Sequence, residues 1–255
     1  MSPQIWPVVG NALTLFGLMI LAPIFGYGCG LRVRARRPDH KDHAQLGTIQ
    51  GAVLGLLALI LGFSFASAAG RFIDRQDFIV QEANAIGTAY LRADLLEEPF
   101  RSNYRELLRQ YTASRIKLLQ TLDIKAVDFV IRESTDLHPK MWQVAVDGVK
   151  KTTHYDVTVL SPLNEVIDLH TSHLAIMRRH IPPLVVILLI VNAIIALMLV
   201  GYGNGLAGKP STVLTTGLTF LIFSVLWITV DLDYPRLGIL RIGHQPMIEL
   251  QQSLK

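Results

Sequence analysis

The sequence contains four apolar runs, each long enough to cross a lipid bilayer as a helix. A bilayer-spanning helix needs about 20 predominantly apolar residues. The runs are residues 8–30, 47–69, 183–200 and 211–230. Hydrophobic residues make up 51% of the chain and charged residues only 17%, a composition too apolar for an ordinary soluble domain. We therefore predict an all-α integral membrane protein with four transmembrane helices.

A long polar segment, residues 70–180, separates the second apolar run from the third. It favours helices and lacks strand-like alternation of useful length, which predicts a bundle of about four helices outside the membrane. We expect its first helix to continue the second span and its last helix to continue into the third. The predicted domains are residues 1–69 (two spans and a basic loop), 70–180 (soluble helical module), 181–230 (two further spans) and 231–255 (C-terminal tail).

Three proline-containing stretches divide the polar segment: "LLEEPF", "STDLHPK" and "TVLSPLNE". Pro99 suits the first turn of a new helix, where a backbone N–H is not needed. Ser161 can cap a helix whose first residue is Pro162. We expect helices to break at all three stretches.

Small residues form one narrow face of the second span. At about 100° per residue, alternating steps of four and three keep side chains on one side of a helix. In lipid, such a face lets another helix backbone approach closely. The pattern therefore predicts tight helix packing through this face. Its members are Gly51, Gly55, Ala58, Gly62, Ala66 and Ala69.

Two bulky residues, Leu59 and Phe63, lie beside this small face, about 40° and 80° round the helix from Gly55. If the small face packs on a neighbouring subunit, the adjacent side lines a central axis. A ring of Leu59 and Phe63 would then form a hydrophobic constriction of the kind that gates by dewetting. The alternative is that both side chains face lipid or the protein core.

The second span and its continuation resemble a known family of channels. "LGF" at residues 61–63, followed eight residues after Phe63 by "RF", resembles the pore helix of bestrophins. Residues 63–111 are similar to the bacterial bestrophin-like domain, as is the ending Asp-Leu-Asp-x-Pro-x-x-Gly at residues 231–238. This resemblance covers most of the chain.

The resemblance implies a homopentameric ion channel that passes small ions passively, with the second span of each subunit lining a neck at Gly55, Leu59 and Phe63. Bestrophins are bulky at all three positions, so Gly55 departs from their pattern. The acidic run that binds calcium in animal bestrophins is missing, and calcium gating is not expected. The implied partners are further copies of the chain, the lipid bilayer and small ions. We expect no cofactor.

Membrane orientation is predicted differently by two features. The basic loop "LRVRARRPDHK" would lie in the cytoplasm by the positive-inside rule. The bestrophin resemblance instead implies that the soluble module and both termini are cytoplasmic, in a bacterial inner membrane. We adopt the orientation that the resemblance implies.

Charged residues begin the part of the helix that leaves the membrane. In an oligomer, rings of Arg71 and Arg75 could concentrate anions, and a ring of Asp74 could concentrate cations. Spacings of three and four residues also allow these side chains to pair with one another on a solvated helix surface. They are candidate residues for the mouth of a pore.

Histidines three residues apart, His170 and His173, raise the question of a metal site. No third ligand is convincingly placed, whereas zinc sites in proteins need at least three protein ligands. We therefore predict no metal, and interpret both histidines as part of a surface or partly buried helix.

Asp231 and Asp233 follow the fourth span. We interpret them as residues that end the helix and pair with basic side chains such as Arg236 or the Arg178 and Arg179 cluster. A membrane-embedded, metal-dependent enzyme using both aspartates is an alternative hypothesis. The sequence has neither a phosphate-binding glycine loop nor a Ser, His and acid arrangement, so we predict that the protein is not an enzyme.

Nucleic-acid binding and ligand sensing are two alternatives to a channel function. The formal charge of +4 could indicate nucleic-acid binding, but the basic residues concentrate beside apolar runs, where they suit lipid headgroups. We predict no nucleic-acid partner. The second hypothesis is a membrane sensor whose helical module recognises a ligand or a protein partner.

Overall fold

The computed structural model describes residues 5–36, 43–121, 124–151, 156–235 and 238–254. Within these ranges the regular elements are eight α-helices and one short 3₁₀ helix, so the predicted all-α fold is confirmed. The elements are α1 Ile5–Arg36, α2 His43–Arg92, the 3₁₀ helix Ala93–Leu95, α3 Phe100–Gln120, α4 Ile124–Lys151, α5 Asp156–Met177, α6 Pro183–Ala207, α7 Thr212–Asp233 and α8 Gln245–Ser253.

The chain divides into two compact units. The membrane unit comprises residues up to Arg71 together with His180–Leu240, and the bundle unit comprises Phe72–Arg179 together with Arg241–Lys255. Helix α2, 50 residues long, contributes to both units without interruption. This confirms that the second span continues directly into the first helix of the module. The last residues of the chain, treated separately in the sequence analysis, group with the bundle unit.

In the described part of the chain, four helices are long and apolar enough to cross a membrane: Ala12–Arg36, Gln45–Leu95, Pro183–Ala207 and Thr212–Asp233. The predicted multi-pass membrane protein is thereby supported at the level of length and composition. Side chains from α1, α2, α6 and α7 together form the buried core of the membrane unit. These are Met19, Ala22, Leu57, Leu61, Leu189, Ala193, Ala196, Leu197, Ile222 and Leu226.

Helices α1 and α6 pack closely through glycines. A Cβ atom placed on Gly26 or Gly30 of α1 would collide with the backbone of α6, and one on Gly201 or Gly205 of α6 would collide with the backbone of α1. In lipid, close backbone approach increases the van der Waals contact that holds helices together. This contact was not predicted from the sequence, although the four-residue spacing of the glycines in each helix was its signal.

A helix break occurs at one of the three proline-containing stretches where breaks were predicted. Helix α3 starts immediately after Pro99, as expected. Pro139 lies inside α4 and Pro162 inside α5, so those two predicted breaks are wrong. A proline inside a helix costs about 3 kcal/mol. The buried side chains of Met141 and Val166, which follow these prolines in the bundle core, show that packing outweighs that cost.

The junction between the bundle segment and the third span also differs from the prediction. Helix α5 ends at Met177 and α6 begins at Pro183, so the two helices are not continuous. Pro182 is extended, with φ −53° and ψ 132°. Two consecutive prolines remove two helix N–H donors and push the preceding residue away from helical geometry, which explains the break.

The bundle unit has its own core, built from α2, α3, α4, α5 and α8. A Cβ on Gly87 in the middle of α2 would lie 3.3 Å from the Leu250 side chain of α8. The glycine at this position therefore lets α2 and α8 approach each other closely. Buried members of this core are Ile79, Ala83, Ala85, Ile86, Ala89, Tyr90, Ala93, Leu96, Tyr104, Leu108, Tyr111, Ile116, Leu137, Met141, Ala145, Val159, Leu163, Val166, Met247 and Leu254.

Candidate functional site

One side of α2 packs against the rest of the membrane unit. Leu57, Leu61, Ser64 and Ala68 are buried there, at steps of four, three and four residues. This spacing keeps them on a single helix face. The position of this buried face determines which residues of α2 remain uncovered in the single chain.

The predicted neck residues lie together on an uncovered side of α2. The side chain of Leu59 is 57% exposed and that of Phe63 is 70% exposed. Gly55 is also exposed, and a Cβ placed on it would meet no atom within 4 Å. The single chain thus leaves all three positions uncovered.

The small-residue face of α2 is uncovered as well. Ala58 and Ala66 are exposed. Gly51 and Gly62 are exposed too, and a Cβ on either would meet no atom within 4 Å. Among the described residues of this chain, no helix packs closely on this face. That it packs on another helix stays a prediction.

The three predicted mouth residues occupy different surroundings. Arg71 donates from Nε to Oδ1 of Asp233 at 3.0 Å and belongs to the membrane unit. Arg75 is buried and donates from Nη2 to the carbonyl of Arg179 at 2.6 Å within the bundle unit. Asp74 is exposed. Both guanidinium groups are therefore held within the chain, whereas the carboxylate of Asp74 is open to its surroundings.

A hydrogen-bonded site forms at the end of α7 around Asp233. Oδ1 of Asp233 accepts from Arg71, and Oδ2 accepts from the backbone N–H of Ile181 at 2.8 Å. His180 lies with Nδ1 3.4 Å from Oδ2, and its ring stacks on Tyr234 with centroids 4.3 Å apart. Asp233 thus ties α2 and the residues before α6 to the end of α7.

Asp231 fixes the chain that follows α7. Its carboxylate accepts from the backbone N–H groups of Ile239, at 2.9 Å, and Leu240, at 2.8 Å. A Cβ on Gly238 would collide with this carboxylate, which explains why glycine stands there. The order of Asp, Asp and Gly in "DLDYPRLG" therefore has a structural basis.

The predicted pairing of Asp233 with the Arg178 and Arg179 cluster was wrong. Asp233 pairs with Arg71 rather than with Arg178 or Arg179, because the end of the α2 membrane segment reaches it. Arg236 lies outside the described residues. No group of three or more His, Cys, Asp or Glu side chains that could hold a metal ion is found in the described part of the chain.

A polar cluster lies buried in the bundle unit around Glu82 of α2. Arg115 of α3 donates to it twice, from Nε to Oε1 at 2.6 Å and from Nη2 to Oε2 at 3.0 Å. The hydroxyl of Tyr111 donates to Oε1 at 2.9 Å. Buried charges are stable only when they are paired and hydrogen-bonded, as they are here.

Three histidines surround this ion pair. His173 places Nδ1 2.8 Å from Nη2 of Arg115, and His170 places Nδ1 3.2 Å from the hydroxyl oxygen of Tyr111. The ring of His138 meets that of His170 edge-on, with centroids 4.7 Å apart. Burial first, and then the positive charge of Arg115, lower the pKa of His170 to about 3, and the same causes lower the pKa of His138.

His170 and His173 were predicted to lie on a surface or partly buried helix, whereas both are buried. Their partners come from three other helices and lie up to 91 residues away along the chain. No local spacing could have revealed this cluster, because each pair forms only when four helices pack together.

Comparison with known proteins gives the family. A model of the bestrophin-like domain matches residues 17–247. Two solved structures of variants of a bacterial bestrophin homolog from Klebsiella pneumoniae match with TM-scores of 0.72 and 0.70. Each is 13% identical; the first match covers 96% of this chain and 97% of that one, the second 97% and 96%. None of the curated proteins matches the chain. The chain belongs to the bestrophin-like family.

Proposed function

We propose that the protein is a homo-oligomeric ion channel, a pentamer by its resemblance to bestrophins, that passes small ions passively through a pore lined by α2. The observation that carries this proposal is the uncovered side of α2, where Leu59 and Phe63 are both more than half exposed in the single chain. Family membership and the bestrophin fold support the same function.

The small residues beside Leu59 and Phe63 favour a protein neighbour over lipid alone. Lipid can cover exposed leucine and phenylalanine side chains without any small residue near by. Close helix packing in a membrane, by contrast, uses glycine and alanine to let backbones approach. A neighbouring subunit packed on the small face, through Gly51, Ala58, Gly62 and Ala66, would leave Leu59 and Phe63 facing a central axis.

Within this proposal, the narrow part of the pore is formed by rings of Leu59 and Phe63, with Gly55 leaving the adjoining layer wide. Among the three predicted mouth residues, Asp74 is the one whose side chain is exposed. Arg71 and Arg75 bind groups of their own chain instead. The protein acts without enzymatic chemistry and without a cofactor.

Planar-bilayer recording of the purified protein tests the neck. We expect Phe63→Ala and Leu59→Ala to increase conductance or leak, because each removes bulk from the constriction. Matched controls are Phe220→Ala and Leu221→Ala on α7, whose side chains are 57% and 63% exposed. Unchanged currents in both α2 variants, or a monomer by mass measurement, would contradict the proposal.

We also propose that the protein lies in a bacterial inner membrane with the bundle unit in the cytoplasm. The support is the resemblance to bestrophins. A Val157→Cys variant in a Cys29→Ser background places one thiol at an exposed position of α5. In intact spheroplasts, a membrane-impermeant maleimide should leave it unlabelled until the membrane is lysed. Labelling before lysis would reverse the orientation.

A further inference from the structure

The buried cluster around Glu82 holds its histidines in defined positions. Nδ1 of His173 lies 2.8 Å from Nη2 of Arg115, which can only donate, and 3.2 Å from Oε2 of Glu82, which can only accept. His173 therefore contacts both members of the ion pair.

His170 is held in an equally defined state. The single proton of the Tyr111 hydroxyl goes to Glu82, so the Tyr111 oxygen accepts from Nδ1 of His170 at 3.2 Å. The second ring nitrogen, Nε2, then carries no proton in the neutral ring. It lies 3.5 Å from the hydroxyl of Thr135, an exposed residue. A proton from solvent can bind at Nε2. The resulting N–H group can then donate to the hydroxyl oxygen of Thr135.

The charges that face His170 come from every helix around it. Glu82 lies on α2, Tyr111 and Arg115 on α3, His138 on α4 and His173 on α5 itself. Glu82 and Arg115 neutralise one another through two hydrogen bonds. A further positive charge on His170 would have no anion of its own, and buried unpaired charge is strongly destabilising.

We propose that this cluster is an acid sensor: a proton on His170, or on its neighbour His138, displaces the Glu82–Arg115 pair and opens the bundle unit. Opening exposes the histidines to water, where they bind protons freely. Since α2 also carries Leu59 and Phe63, acid opening changes ion flux; this link to flux rests on the proposed channel function.

The direction of the effect follows from the pKa values. His170 has a pKa of about 3 in the closed unit against an ordinary 6.5, and the pKa of His138 is lowered too. The closed state is therefore fully stable above pH 6.5 and loses stability as the pH falls toward 3. In this range His170 multiplies the open population about tenfold per pH unit, and His138 adds to the rise. Carboxyl groups ordinarily titrate at lower pH, so the interval from pH 6 to pH 5 isolates the histidines.

Amide hydrogen exchange of the full-length protein in lipid nanodiscs measures this opening. Exchange rates of α3 and α5 peptides, corrected for the intrinsic pH dependence of amide exchange, give the opening constant at each pH. For the wild type we expect it to rise steeply from pH 6 to pH 5. His170→Asn should reduce the rise by about tenfold over that unit, because one proton-binding group is lost.

Two further variants separate titration from simple loss of stability. Val166→Ala, which removes a buried side chain from the same helix α5, should raise opening equally at both pH values and leave the slope unchanged. His138→Phe keeps an aromatic ring and removes an Nε2 atom that is buried without a hydrogen-bond partner. It should also reduce the slope, and it serves if His170→Asn fails to fold.

Slopes that stay equal in the wild type, His170→Asn and His138→Phe would overturn the sensor. Bilayer currents recorded at the same pH values distinguish this result from failure of the channel proposal. A protein that opens through its histidines but conducts at no pH supports the sensor and overturns the channel. A conducting protein whose opening ignores both substitutions overturns the sensor and leaves the channel standing.

Discussion

The membrane unit contains two sets of glycines at similar helical spacing, and they have opposite surroundings. Gly26 and Gly30 of α1, with Gly201 and Gly205 of α6, have backbone of the facing helix where a side chain would begin. The glycines of the small face of α2 have no atom within 4 Å of that position. One set of close-packing surfaces is satisfied inside the chain, and the other is not.

The difference shows how the same sequence pattern can serve two levels of structure. Glycines spaced by four residues favour close helix contact in lipid, but the pattern does not specify whether the partner helix belongs to the same chain. The α1 and α6 glycines hold one subunit together. The uncovered face of α2 is available for contacts with another subunit, which is the basis of the proposed oligomer.

The largest expected effect comes from filling the contact between α1 and α6. Gly201→Ala places a Cβ against the backbone of Pro23, and because backbone cannot rotate away the two helices must separate. Overpacking of this kind costs about 1–3 kcal/mol, so the thermal unfolding midpoint in detergent should fall by several degrees. Gly17→Ala on α1, where a Cβ meets no atom within 4 Å, is the control and should not lower it. Equal midpoints would mean that the crossing is not tight.

A smaller effect on stability, with a larger effect on assembly, is expected at the small face of α2. Gly62→Leu should leave the folded subunit intact because nothing occupies that space within the chain. It should nevertheless reduce the oligomer to smaller species, measured by light scattering or native mass spectrometry. Gly217→Leu on α7 is exposed and equally open, and should leave the oligomer unchanged. An intact Gly62→Leu oligomer would indicate that this face contacts lipid.

Features that depend on neighbouring residues along the chain could be predicted from the sequence. The four spans follow from apolar length, and the continuity of α2 follows from the absence of proline between its apolar and polar parts. The helix breaks predicted at Pro139 and Pro162 do not occur. The free-energy cost of each proline is local, and the burial of residues such as Met141 and Val166 offsets it. Tertiary packing overrides local preference in such cases.

Features that depend on distant residues could not be predicted. The partner of Asp233 is Arg71, 162 positions earlier in the chain. The cluster of Glu82, Arg115 and the histidines joins four helices, and no spacing in the sequence brings them together. The assignment of the neck residues follows from the resemblance to bestrophins. Their angles round α2, measured from Gly55, agree with the finding that all three lie on an uncovered side of the helix. Whether they line a pore depends on an assembly that the sequence of one chain does not specify.

The close contact between α1 and α6 has a consequence for how the protein is made. Gly30 leaves the ribosome long before Gly201, because the whole bundle segment is synthesised between them. At about 5–20 residues per second, the delay is roughly 10–30 s. During that time α1 sits in the membrane with its glycine surface unpaired. Insertion of the first two helices therefore precedes completion of the membrane unit, and α1 is open to chaperones or to wrong partners until α6 arrives.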